Sequence, residues 1–238
     1  DLVAGGTLLG IVQAAGRIGG LMMALWAEMI GLRNGILVGL AFLALGSVAG
    51  AFAPNTEILL LTRTAEGVGF MMVTMIAPQL IRQVTRGKTI NLAMGFWGAY
   101  QGLALLLRVM ATAAAMTVMD WRAWWLIFAA IPVIPVPWLL KWVPADVKVP
   151  GTRRSEAFRA AISRMKVTVK TSPPWIAGLA FACYTMMWGA IIGFMPTVLQ
   201  EEGYSVATAG VIGAIMGGVN ILGAMASGPL LERGVPLR

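Results

Sequence analysis

Seven times along its length the chain runs for about twenty residues on apolar side chains with hardly a charge. The runs are Gly5–Trp26, Gly35–Ala53, Ile58–Ile81, Leu92–Val118, Trp124–Val143, Trp175–Leu199 and Val206–Leu231. A hydrocarbon core of about 30 Å is crossed by about 20 helical residues, so each run is long enough to span it. Inside lipid each segment must satisfy its own backbone, which leaves helices or a closed barrel. Runs this uniform lack the apolar-polar alternation of barrel strands. The expected fold class is therefore an all-α membrane protein, a polytopic helical bundle with seven transmembrane helices. Composition agrees: 58% of residues are hydrophobic, 12% are charged and the mean hydropathy is +0.80. So little charge could not cover a soluble domain of this size.

A pI near 10.4 would suit a nucleic-acid partner, but the cations are not spread as a binding footprint. Taking every second loop, one side collects Arg33, then Arg82, Arg86 and Lys88, then the basic run from Lys141 to Lys170, then Arg233 and Arg238. The opposite side has Arg122 alone, beside Glu57, Asp120, Glu201 and Glu202. Such asymmetry marks the basic side as cytoplasmic. It predicts an integral protein, in a bacterial inner membrane, with linker and chain end in the cytoplasm and no nucleic-acid partner.

The long connection Val143–Ser172 places Phe158, Ile162, Met165 and Val169 at helical spacing, with Arg154, Arg159, Arg164, Lys166 and Lys170 around them. A helix lying on an anionic leaflet explains both features; a flexible basic linker around Pro150 and Gly151 is the alternative. Either way it divides the chain into 1–143, a helical block, 144–172, a basic linker, and 173–238, a second block. The first residue is Asp and no cleavable signal is visible, so the chain is expected to begin inside a longer protein. One cysteine, Cys183, and no histidine offer no ligand set for a metal or haem, and no cofactor is expected.

Glycines recur four apart in nearly every run: Gly6/Gly10, Gly16/Gly20, Gly35/Gly39, Gly46/Gly50, Gly98/Gly102, Gly189/Gly193 and Gly213/Gly217. In lipid that spacing lets helix backbones approach closely. Most tryptophans sit near run ends, as interfacial belts do; Trp97 and Trp188 sit deeper and could line a cavity.

Two loops resemble each other. "ALWAEMIGLRN" (Ala24 to Asn34) follows the first run and "GPLLERGVPLR" (Gly228 to Arg238) closes the last, with Glu28 and Glu232 204 positions apart. Duplication at this distance marks transporters built from two related halves. The first segment resembles the loop between helices 2 and 3 of the major facilitator superfamily, G-x-x-x-[DE]-[RK]-x-G-x-[RK]-[RK]. Glu28, Gly31 and Arg33 match it, while Ala24, Met29 and Asn34 depart from it. The second keeps Gly228, Glu232 and Arg233. "LLLTRTAEGVGFMM" is similar to the family's helix 4 pattern R-x-x-x-G-x-G through Arg63, Gly67 and Gly69. The resemblance covers essentially the whole chain and numbers its runs as helices 2 to 8 of twelve, with the missing helices as further partners. The helix 5 pattern of many proton-coupled exporters is broken: Gly98 and Gly102 stay, the proline and paired glycine do not. "GFMPTVLQEEGYSVATAGVIGAIMGG" looks more like permeases of the cyanate-transporter type.

Polar residues within the runs are the candidate site. Trp97, Gln101, Arg108 and Thr112 fall on one helical stripe. Arg108 lies ten residues from its nearer run end, about 15 Å of rise, where an arginine normally faces protein or water. The resemblance implies that this helix lines a central cavity, where a planar guanidinium suits a small anion; a structural pair with a buried acid is the alternative. Arg17 is a second deep cation, and Tyr184, Trp188 and Asn220 complete the expected substrate-binding set. Arg63 and Glu66, three apart, can touch and are either a permanent ion pair or a proton-coupling device. The resemblance implies gating for Glu28, Gly31 and Arg33, with Glu232 and Arg233 in the repeat. Pro78, Pro132, Pro135, Pro137 and Pro196 are positioned to bend their helices.

These features predict a non-enzymatic secondary transporter, a permease or symporter, moving a small anion by alternating access, with protons as a coupling ion. An exporter of hydrophobic or cationic compounds remains open and would require an acid opposite Arg108. A seven-helix receptor would leave the loop repeat unexplained. Without histidine or a paired set of acids in the runs, no catalytic constellation is present.

Overall fold

The computed structural model describes residues 30–87, 89–146 and 154–232. Eight α-helices follow one another there: α1 Leu32–Ala51, α2 Thr56–Val84, α3 Thr89–Ala115, α4 Trp121–Ala130, α5 Val136–Trp142, α6 Arg154–Lys170, α7 Ser172–Glu201 and α8 Val206–Glu232. The helices over α1, α2, α3, α4–α5, α7 and α8 are long and apolar enough to cross a membrane, and each overlaps one of the six expected runs from Gly35 onward. The run Gly5–Trp26 lies outside the described residues.

The span Trp121–Trp142 is not one helix. It passes from α4 through a single 3-10 turn, Ile131–Val133, into α5. Pro132, Pro135 and Pro137 explain the break, since each removes an N–H and crowds the carbonyl one turn back. Pro78 and Pro196 are accommodated inside α2 and α7. The basic segment holds the expected helix, α6, from Arg154 to Lys170. It abuts α7, where the Trp175 indole N–H donates back to the Val169 carbonyl at 2.8 Å.

The chain forms two compact units, residues 1–84 with 119–163 and residues 85–118 with 164–238. In the first, α1 lies against both α2 and α4. Its core is Ile36 and Leu40 of α1 with Ile76 and Leu80 of α2, ringed by Leu32, Leu43, Val73, Val136, Leu139 and Val143. The seam closes backbone to backbone: a Cβ on Gly69 would sit 2.6 Å from the Gly39 carbonyl oxygen. Gly35, Gly46 and Gly50 also face neighbours at close range. In the second unit α3 lies along α8. A Cβ on Gly102 would come within 2.5 Å of the Gly217 carbonyl oxygen, and one on Gly95 within 3.2 Å of that of Ala224. The helix that precedes the basic segment thus belongs with one that follows it, so compactness does not follow chain order. Gly189, Gly193 and Gly213 meet nothing within 4 Å; their spacing is used by no contact among the described residues.

Candidate functional site

The most connected polar group in the spans is a knot across three helices of the first unit. Arg63 and Glu66, three apart on α2, form the expected ion pair through Nη2 and Oε1. The same oxygen accepts a 2.8 Å hydrogen bond from the Ser47 hydroxyl of α1. The Trp125 ring of α4 lies 3.9 Å from the Arg63 guanidinium carbon. Gly46 and Gly50 make room: a Cβ on Gly46 would sit 2.8 Å from Glu66 Cγ, and one on Gly50 3.2 Å from Arg63 Nη2. A buried charge is tolerated when it is paired and hydrogen-bonded, and Glu66 Oε1 takes both the Arg63 and the Ser47 bond. Arg63 Nε is buried and meets no acceptor among the described residues. Ser47 and Trp125 were not among the sequence expectations. Ser47 could have been read from its position between Gly46 and Gly50, while nothing in the local pattern singles out Trp125.

A second construction holds the start of α1. Gly31 is the N-cap residue, with φ +91°, a backbone region open to glycine. The Asp146 carboxylate accepts from the backbone N–H of Arg33 at 3.2 Å and of Asn34 at 2.9 Å. Arg33 Nη2 donates to the Leu140 carbonyl at 3.2 Å. Gly31 and Arg33 both lie in this turn. Glu28, Arg233 and Arg17 lie outside the described residues, and Glu232 is the last residue of α8.

The α3 stripe is off the seam with α8, which uses Gly95, Gly98, Gly102 and Leu105. Gln101 and Arg108 are exposed and Trp97 is half-buried. Trp97 stands against Tyr100, ring centres 5.8 Å apart. The Arg108 guanidinium meets no carboxylate among the described residues. One expectation is corrected: α3 ends at Ala115, not Val118, because the chain turns out of the helix at Met116–Val118. Arg108 is seven residues, about 10 Å of rise, from that end rather than 15 Å.

On α7 and α8 the structure brings the remaining three together. Asn220 Nδ2 donates to the Tyr184 hydroxyl at 2.7 Å, and the Tyr184 and Trp188 rings lie 6.3 Å apart and 19° from parallel. With its oxygen already accepting from Asn220, the Tyr184 O–H remains available to donate. A cavity of about 480 Å³ on α1 and α2 is lined by Phe42, Leu45, Ile58 and Leu61 among others; it presents no charge and none of the expected site residues.

The family model described as Major Facilitator Superfamily matches residues 2–238, and the chain belongs to that superfamily. It is similar to the "Probable 4-methylmuconolactone transporter" of Cupriavidus pinatubonensis, 26% identical over 207 residues, covering 83% of this chain and 46% of that protein. It is also similar to the "Uncharacterized MFS-type transporter Rv1250" of Mycobacterium tuberculosis, 28% identical over 122 residues, 50% of this chain and 19% of that protein. The chain thus spans about half the length of the first relative and about a fifth of the second. No solved structure matches it.

Proposed function

We propose that the chain serves a secondary transporter that carries a small organic anion by alternating access, with protons as the coupling ion. The observation that carries the reading is Arg108: a permanently charged guanidinium within a span, exposed and without a carboxylate partner among the described residues. A charged group in a span is costly, about 2.5–3.5 kcal/mol on insertion scales, and is retained where it serves a pathway or a partner. Gln101 and Trp97 share its helix face, and Tyr184, Trp188 and Asn220 offer a hydroxyl donor beside two stacked rings. Such a set suits a cargo with a carboxylate and a flat body. The relative named for 4-methylmuconolactone, a lactone, supports a small ring compound as the kind of solute to try first.

Glu66 is the proposed proton carrier. Protonation would weaken its bonds to Arg63 and Ser47 together, loosening α1 from α2 at one point. The turn containing Gly31 and Arg33 is the proposed gate, with Glu28, Glu232 and Arg233 as its other parts. The charge bias of the loops supports an inner membrane with the α6 side cytoplasmic; the basic linker between blocks 1–143 and 173–238 is the proposed connection of two bundles, with α3 and α8 packed across that division.

The test is uptake by the intact gene product in proteoliposomes under an imposed pH gradient, with a labelled panel of small organic anions that includes 4-methylmuconolactone. Accumulation of one anion, abolished in Arg108→Gln while thermal unfolding is unchanged, is the expected result. Accumulation of hydrophobic cations instead, indifferent to Arg108→Gln, would replace this reading with the exporter.

A further inference from the structure

We infer that Asp146 is the positioning residue of the Ile30–Asn34 turn, clamping the start of α1 to the chain that leaves α5. The functional half of this inference rests on the gating reading of Gly31 and Arg33; the structural half stands on its own contacts.

A helix leaves its first N–H groups without partners inside the helix, and the N-cap side chain ordinarily supplies an acceptor. At α1 the N-cap is Gly31, with no side-chain bond to offer. The acceptor comes from Asp146, 113 positions from Arg33. Oδ1 takes the Arg33 N–H and Oδ2 the Asn34 N–H, so one carboxylate is spread over two consecutive donors. This is how an anion sits at a helix start, and its charge complements the positive end of the helix.

Glycine is required at position 31 for two separate reasons. Its φ of +91° strains any residue with a side chain, and a Cβ there would run into the Asp146 carboxyl. Arg33 ties the same seam from the other direction, through Nη2 to the Leu140 carbonyl in α5. The start of α1 is therefore held at two points, Leu140 and Asp146, on either side of the exit from α5. Any movement of the turn must carry the Val143–Asp146 segment with it or first break two backbone bonds to one carboxylate. The short stretch between the fifth span and the basic segment is thus part of the gate and not a passive tether.

Hydrogen–deuterium exchange on the intact gene product in nanodiscs reads the clamp without knowledge of the cargo. Asp146→Ala is expected to speed exchange at the Arg33 and Asn34 amides by about ten-fold or more, because such bonds set local opening, while amides around Gly203 keep the wild-type rate. Asp146→Asn keeps one acceptor oxygen in place and should leave one of the two amides protected. Wild-type exchange at both amides in Asp146→Ala overturns the clamp. The gating half is read separately, as uptake of each anion of the panel in Asp146→Ala and Asp146→Asn. A fall in maximal rate at unchanged KM, smaller in Asp146→Asn, is expected. Unchanged rates alongside exposed amides would overturn the gating half. If no panel anion is transported by wild type, the reading of the cargo fails, while the exchange result still decides the clamp.

Discussion

The α1–α2 seam and the α3–α8 seam start from the same material and are finished differently. Both bring glycines against a facing backbone, Gly39 with Gly69 in one and Gly102 with Gly217 in the other. The first then gains an ionic knot, Ser47–Glu66–Arg63 with Trp125, that recruits a third helix. No ion pair crosses the second among the described residues; the neighbouring α7 is joined by the neutral Asn220–Tyr184 bond, and its side chains are largely exposed. In lipid, apolar contact alone gives little net drive for helix association. Small residues set how near two helices come, and polar partners decide which third helix joins and at what register.

The largest break in this contrast should come from Glu66→Ala. It leaves Arg63 facing an empty site beneath Gly46 and Gly50. Losing one partner of a buried pair costs about 3–5 kcal/mol, and the lower end applies because the Arg63 side chain is 33% exposed. Thermal unfolding of the intact gene product in detergent should show it, and a midpoint equal to wild type would mean the knot does not hold the seam. Gly102→Leu should come next. The seam has no slack at the Gly217 carbonyl, so overpacking of about 1–3 kcal/mol is expected, with Gly102→Ala smaller but of the same sign. Ser47→Ala should cost about 1.5 kcal/mol, the low end for one hydrogen bond to a charged group, because the Arg63 bond to the same oxygen remains. Tyr184→Phe removes a partly exposed neutral bond and should cost about 0.5 kcal/mol, at the weak end for hydrogen bonds. Gly189→Ala sharpens the comparison from the other side. Nothing lies within 4 Å of its Cβ position, so it should be neutral or stabilising by up to about 1 kcal/mol through helix propensity. Measured destabilisation there would reveal a helix contact that α7 makes with elements outside the described residues.

Much of the architecture was legible before any coordinates. Six apolar runs became six membrane-length helices, and Pro132, Pro135 and Pro137 broke the one span where they cluster. The Arg63–Glu66 pair was readable because three residues is one helical turn, a local fact. Arg108 was readable as an anomaly of depth, though three residues of error at the end of α3 shortened that depth by about 5 Å. What the linear pattern did not carry was equally particular. Of the glycine pairs, 39/69 and 102/217 close seams, although neither is a four-residue repeat. The repeat at Gly189/Gly193 closes nothing among the described residues. Spacing along one helix says which face is smooth and nothing of what lies opposite.

The chain alone determined where it crosses the membrane and that it does so as helices, because lipid forces each segment to satisfy its own backbone. It determined the family, because loop and helix motifs are written in consecutive residues. Tertiary structure decided the rest: that Ser47 bonds Glu66 while Trp125 lies against Arg63, that Asn220 holds Tyr184, and that Asp146 stands in for the side chain Gly31 lacks. These partners lie between 19 and 113 positions apart. No periodicity reaches that far, and only packing brings such groups within the 3 Å or so at which a hydrogen bond exists.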